Sequence, residues 1–430
     1  MRWFDHRTAC ILAAFNHAAA SAAGTNIMPT TYDAFLQLGM RLDMSRGKPA
    51  PEQLDLASAL FAAAGDAGHL SRDGFDCRNY GHGLGLPEAR EFGAALLDVD
   101  AAQVVAAGNS SLALMHDALA FAVLFGVPEA PAWRTQRDVA FLCPVPGYDR
   151  HFSICEALGI RMIPVPMRDD GPDMDAVEAL VRDDPSIKGI WCVPLYSNPS
   201  GTIYSADTVR RLASMPAAAG DFRLFWDDAY RFHHLTDVAH ATPNVIDACA
   251  AAGYPDRALV FASLSKVTFG GAGVAFLASS RRNVDWWQRH QSIRTIGPDK
   301  LNQLRHVHAL RDRAGLDALM ARHRALLRPK FDAVHHAFGE HFADLPDVSW
   351  TRPEGGYFID LLVPPGHAKR TVALAAEAGL VLTPAGATFP YGKDPDDRHL
   401  RIAPSFPSLD EVRRAADGIA LSVRRAMEAG

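Results

Sequence analysis

Leu259-Val260-Phe261-Ala262 runs directly into Ser263-Leu264-Ser265-Lys266, with Gly270-Gly271 a few residues on. The first four residues form a short apolar run with β-branched and aromatic members, the composition of a buried strand. A lysine at the mouth of such a strand, flanked by hydroxyls and glycines, is out of place, because lysine is seldom buried unless paired or modified. A pocket that disfavours the ammonium form lowers its pKa and leaves a nucleophilic amine, which is what Schiff-base chemistry needs. Taken alone, Lys266 reads equally well as a solvated loop residue.

The same pattern recurs outward from this stretch. Val139-Ala140-Phe141-Leu142, Gly189-Ile190-Trp191-Cys192-Val193 and Leu224-Phe225-Trp226 are short apolar runs, set between helix-like segments from about residue 76 to 280. Strands separated by helical crossovers imply an α/β fold with a mostly parallel sheet covered on both faces. Beyond residue 283 the pattern predicts long helices over 301–313 and 316–337, then a strand over 356–362. A last amphipathic helix is expected over 408–427, with Ser408 as N-cap and Glu411 three residues on. The expected organisation is an N-terminal extension (1–27), a large domain (76–315), and a smaller α+β domain built from 28–75 and 316–430.

Composition narrows the function classes. The chain has 430 residues, 48% hydrophobic and 21% charged, enough for one large core and a second lobe. A net charge of -6 without a dense Lys/Arg run argues against nucleic acid as a partner. Arg2 and Arg7 precede the apolar patch 10–15, which loosely imitates an export signal. The patch is short and far below membrane-spanning length, so an extension is the expected reading. The six cysteines include no C-x-x-C pair, so no zinc or redox motif is visible; free thiols in a reducing cytoplasm are expected.

Four further motifs bear chemistry. Asp227 follows the run Leu224-Phe225-Trp226, at a strand end where open α/β sheets place ligands, with Tyr230 three residues on. A carboxylate there can keep a pyridinium nitrogen protonated; it can equally be a helix cap. Tyr196-Ser197-Asn198-Pro199-Ser200-Gly201 is a turn whose amide suits a hydrogen bond to a ring substituent. Ala107-Gly108-Asn109-Ser110-Ser111 opens a helical run, and its free N–H groups and hydroxyls suit a phosphate as well as a simple cap. In Pro146-Gly147-Tyr148 the aromatic ring can stack on a planar ligand or merely pack.

Taken in this order, Gly-Asn-Ser-Ser, Pro-Gly-Tyr, Ser-Asn-Pro-Ser-Gly, Asp-x-x-Tyr and Ser-x-Ser-Lys resemble the fold-type I pyridoxal-phosphate (PLP) enzymes, specifically the class I aminotransferases. The stretches 42–49, 78–81, 85–90 and 295–300 are most similar to the type Ic aspartate aminotransferases. The resemblance implies a PLP-transferase fold with a seven-stranded-type sheet. It also implies that Lys266 carries PLP as a Schiff base and moves the substrate proton. Asp227 would pair with the ring nitrogen, Asn198 and Tyr230 with the ring oxygen, and Tyr148 would stack on the ring. Ser110, Ser111 and Ser263 would hold the phosphate, with Asn109 close by. Tyr80 would reach the neighbouring subunit's phosphate, so a homodimer is implied.

Arg401 matches the arginine that grips the substrate α-carboxylate, a bidentate task suited to a guanidinium, and Gly47 matches a glycine near the same carboxylate. The sequence departs from the family pattern in one respect. Residues 267–274 contain no phosphate-binding arginine, and their backbone or a residue such as Arg78 must compensate. The implied reaction is ping-pong transamination of L-aspartate with 2-oxoglutarate. Arg46, Lys48 and Arg294 are candidates for a side-chain carboxylate. An alanine or aromatic aminotransferase, a PLP lyase, or a PLP-binding sensor domain of a transcription regulator would share the motifs. The sensor would need a basic DNA-binding region, which the segment before Leu42 does not supply.

Overall fold

The computed structural model describes residues 28–61 and 68–428; the expected extension over 1–27 lies outside the described residues. The centre is an eight-stranded sheet. Its parallel body runs Arg161–Arg168, Ala140–Val145, Ile187–Cys192, Arg223–Asp227 and Ala258–Ser263 in spatial order. Ala275–Ala278 then pairs antiparallel with Ala258–Ser263, and Val104–Ala106 antiparallel with Ala275–Ala278. The eighth strand is the two-residue Gly171–Pro172, antiparallel at the far edge. It stands beyond the seven-stranded-type sheet that the family resemblance implies.

Alternation explains why these strands read as unbroken apolar runs. Leu142, Leu224, Trp226, Val260 and Ala262 enter one core. Their neighbours Phe141, Cys143, Phe225, Leu259 and Phe261 enter another on the opposite face. Successive side chains of a strand point to opposite sides, so a sheet covered twice needs apolar residues at both parities.

A third core joins the two ends of the described chain. Phe35, Leu42 and Met44 pack with Leu327, Phe338, Ile359, Leu380, Ile402 and Val423. Leu42–Asp43 pairs in parallel with Leu380–Val381. Ser349–Trp350, Ile359–Leu362 and His399–Ile402 form a three-stranded antiparallel sheet beside them. The expected helices appear as Lys300–Leu310 and Arg313–His341, parted where Arg311 takes a left-handed φ of 65° and Asp312 caps the next helix through Gly315. The final helix, Leu409–Glu428, begins with the expected box: the Ser408 amide donates to Glu411, and the Glu411 amide donates to the Ser408 hydroxyl.

The strand expected over 356–362 starts only at Ile359. A Cβ on Gly355 would sit 2.2 Å from the Tyr196 ring, so Gly355 lets the chain pass against that ring instead of pairing.

Candidate active site

The carboxyl ends of the parallel strands converge on a cavity of about 250 Å³. Asp227 is the last residue of its strand, Ser265 and Lys266 follow Ala258–Ser263, and Asn198 lies six residues past Cys192. Opposite them stands the amino end of helix Ser111–Phe125, where the Ser110 hydroxyl accepts the Ala113 amide. Asn109, Ser110, Ser111, Tyr148, Asn198, Asp227, Tyr230 and Lys266 all line this one cavity, although they span more than 150 positions of sequence.

Asp227 is buried, and its two oxygens differ. Oδ2 lies 3.0 Å from Nε2 of His151, while Oδ1 has no hydrogen-bond partner among the described residues. A carboxylate oxygen enclosed without a donor is costly unless a cation or N–H group meets it. His151 is itself buried and stacks on Trp191, with ring centroids 4.2 Å apart and planes within 6°. Nothing in the local pattern singles out His151. It lies one helical turn past Tyr148 and 76 residues from Asp227, and a lone helix histidine reads as core. Asp228, by contrast, turns away and pairs with Arg231 at 2.8 Å.

Lys266 is half-buried, its amine 4.9 Å from the centre of the Tyr230 ring. Burial lowers its pKa from the ordinary 10.5, and the field of Asp227 offsets only part of that. Burial raises the Tyr148 and Tyr230 hydroxyls, so both stay protonated donors at neutral pH. The Lys266 carbonyl accepts from the buried Tyr357 hydroxyl at 3.3 Å.

Arg401 reaches the site through its neighbours. Its Nη1 donates to Asp149 Oδ1 at 2.8 Å and lies 3.5 Å from Asn198 Oδ1, and its guanidinium sits 5.0 Å above the Phe358 ring. Gly47 passes under that same ring: a Cβ there would come 2.4 Å from Phe358 Cζ, so only glycine fits.

The other expected residues lie at the rim of this cavity or away from it. Ser263 does not line the cavity; its hydroxyl bonds Ser265 Oγ at 2.7 Å, and Ser265 forms the wall. Ser263 is the last strand residue, packed in the ladder opposite Ala275, and the chain turns toward the cavity only after it. Arg78 is exposed and pairs with Asp76 at 2.7 Å. Asn109 donates to the Gly271 carbonyl. Tyr80 is 75% exposed and outside the cavity. Of the three candidate cations, Arg294 pairs with Asp117 at 2.8 Å, Lys48 lies 3.6 Å over the Phe406 ring, and Arg46 is exposed.

A family model described as aspartate amino-transferase matches residues 16–429. The chain belongs to this family. The enzyme is thus an aminotransferase of fold type I. The aspartate aminotransferase of Corynebacterium glutamicum is 45% identical over 393 residues, 91% of each protein. The crystal structure of an aspartate transaminase from that organism covers 92% of this aminotransferase and 93% of its own chain, with a TM-score of 0.90 at 45% identity. The α-aminoadipate aminotransferase of Thermus thermophilus, complexed with N-(5'-phosphopyridoxyl)-L-leucine, shares the fold at 23% identity, with a TM-score of 0.74 over 94% of this chain and 97% of its own. Among the described residues no helix is long and apolar enough to cross a membrane.

Proposed function

We propose that this aminotransferase uses pyridoxal phosphate, linked to Lys266, to transaminate L-aspartate with 2-oxoglutarate in a ping-pong cycle. The observation that carries the reading is the pairing, across one cavity, of a lysine with a depressed pKa and a buried aspartate with one unpartnered oxygen. The cavity's chemistry fits the group: an acceptor for a ring N–H at Asp227, protonated hydroxyl and amide donors at Tyr230 and Asn198, and the amides and hydroxyls of Ser110, Ser111 and Ser265 for a phosphate.

When bound, the cofactor supplies a carbonyl for the substrate amine and a protonated ring that accepts electron density from the substrate Cα. The chain's own residues do the rest. His151, held flat against Trp191, fixes the Asp227 carboxylate so that Oδ1 faces the proton it must hold. Lys266, with its pKa brought down by burial, takes the Cα proton on Nζ and returns it. Arg401 binds the α-carboxylate of the amino acid in one half-reaction and of the keto acid in the other, with Gly47 and Phe358 shaping its floor. Tyr80, exposed in the single chain, serves the cavity of a second copy in a homodimer. The five described cysteines are free and buried, which supports a reducing, cytoplasmic setting.

A panel of L-amino acids mixed singly with the holoenzyme, with no keto acid present, tests the substrate. L-aspartate should bleach the visible band fastest, ahead of L-alanine and the aromatic amino acids. Faster bleaching by any of the latter would overturn the substrate assignment, and a protein that holds no chromophore would overturn the cofactor.

A further inference from the structure

A second recess, a cleft of about 600 Å³, opens at the amino ends of the same strands whose carboxyl ends build the catalytic cavity. Arg223 is the first residue of the strand that ends in Asp227, and Arg257 immediately precedes the strand that leads to Lys266. Both arginines are about 95% buried.

The carboxylates of this cleft already have partners. Asp221 takes Lys188 at 2.7 Å, the Trp133 indole at 2.9 Å and the Gln136 amide at 3.2 Å. Asp256 takes Arg282 at 3.2 Å, and Glu129 takes the other arm of the same arginine. Arg257 is held by the carbonyls of Ala213 and Met215 at 2.9 and 2.8 Å, and its guanidinium lies 3.7 Å from the centre of the Tyr254 ring. Arg223 is the exception. Nη1 donates to the Phe222 carbonyl at 3.1 Å, while Nε is buried without an acceptor. Burial pulls its pKa down to about 10, so it stays cationic at neutral pH. Three arginines and three carboxylates line the cleft; Asp256 and Asp221 act on Arg223 only through their field, and it is the guanidinium with the fewest hydrogen bonds.

A buried charge of this kind is stable only if something meets it. We propose that the cleft binds a small organic ligand carrying an oxyanion, a carboxylate or a phosphate, on Arg223 with Arg282 beside it. The volume lies within the ordinary range for organic-ligand pockets, larger than a lone ion requires. Tyr254, 39% exposed, offers the ligand an aromatic wall. This site is distinct from the catalytic one and does not depend on the substrate assigned above.

Calorimetric titration of the holoenzyme with inorganic phosphate and, separately, with citrate tests the proposal. An Arg401→Met background removes the carboxylate grip of the catalytic cavity. One saturable site per chain should remain, and the preferred anion tells phosphate from carboxylate. Adding Arg223→Met should weaken binding at least about tenfold, the loss expected for charge-assisted hydrogen bonds. No saturable binding of either anion, or equal binding after Arg223→Met, overturns the site. If Arg223→Met fails to fold by circular dichroism, the exposed Arg282→Ala replaces it. That change frees Glu129 and Asp256 to repel the ligand, so unchanged affinity would again be fatal.

Discussion

At one end of the catalytic cavity the walls are charged and fixed by a chain of contacts: Asp227 is held by His151, His151 by Trp191, and Lys266 sits across from them under the field of Asp227. At the other end Asn109, Ser110, Ser111, Ser265 and Gly270 offer amides and hydroxyls, and among the described residues no arginine lines the wall. The difference teaches how each end can hold a ligand. A buried carboxylate can recognise one proton with high selectivity because desolvation magnifies its charge. A set of neutral donors spreads recognition over several weaker bonds, so the loss of any one is tolerable.

Substitutions should therefore separate the two ends, in falling order of effect. Lys266→Ala should lower turnover of L-aspartate by ~10⁴-fold or more, the upper range for a positioned acid–base group; a variant turning over at the wild-type rate would break the assignment. Asp227→Ala removes one partner of a buried charge pair, a loss of about 3–5 kcal/mol, hence roughly 10²–10⁴-fold in activity. Its cofactor should also dissociate faster in a dialysis assay. At the neutral end, Ser265→Ala should cost about 1 kcal/mol, roughly fivefold in cofactor affinity by fluorescence titration. A loss as large as that at Asp227 would show that the two ends are not built differently after all.

The smallest effect is on stability against pH. Lys266 has a folded pKa below its unfolded 10.5, so the unfolded chain binds more protons between those values. Stability of the cofactor-free protein should then rise as pH climbs through that window and be lower below it. The same scan on Lys266→Met should lack this rise. The buried His306 and His323, both pulled down to about 4, work at the acid side: stability should fall as pH drops from 6.5 toward 4.

How much of this was legible beforehand follows the same division. Lys266, Asp227 and Asn198 sit at or just past strand ends, where an apolar run stops and a polar residue can face a cavity; position makes them candidates, and the order of the motifs decides. At the hydroxyl end the pattern offers Ser263, whereas Ser265 is the one in the cavity wall. Ser263 and Ser265 have the same chemistry, and only the point at which the strand leaves its ladder decides which one reaches the wall. His151 and Asp149 were not legible, because their importance lies in partners 76 and 252 residues away. Arg78 looked available as a cation, but Asp76, two residues back, occupies it. Local pattern thus fixes which residues face the cavity, whereas ion pairing depends on distances that no single stretch contains.

The contact between Arg401 and Asp149 has a kinetic consequence. A guanidinium already carrying a carboxylate at 2.8 Å cannot simply capture a second one; the arriving acid must trade places with the resident or share the fork with it. On the proposed reading, docking at this position is an exchange or a sharing, and the affinity is reduced by whatever the Arg401–Asp149 bond is worth. That arrangement favours quick release, which would suit the proposed cycle, in which two acids occupy the position in turn.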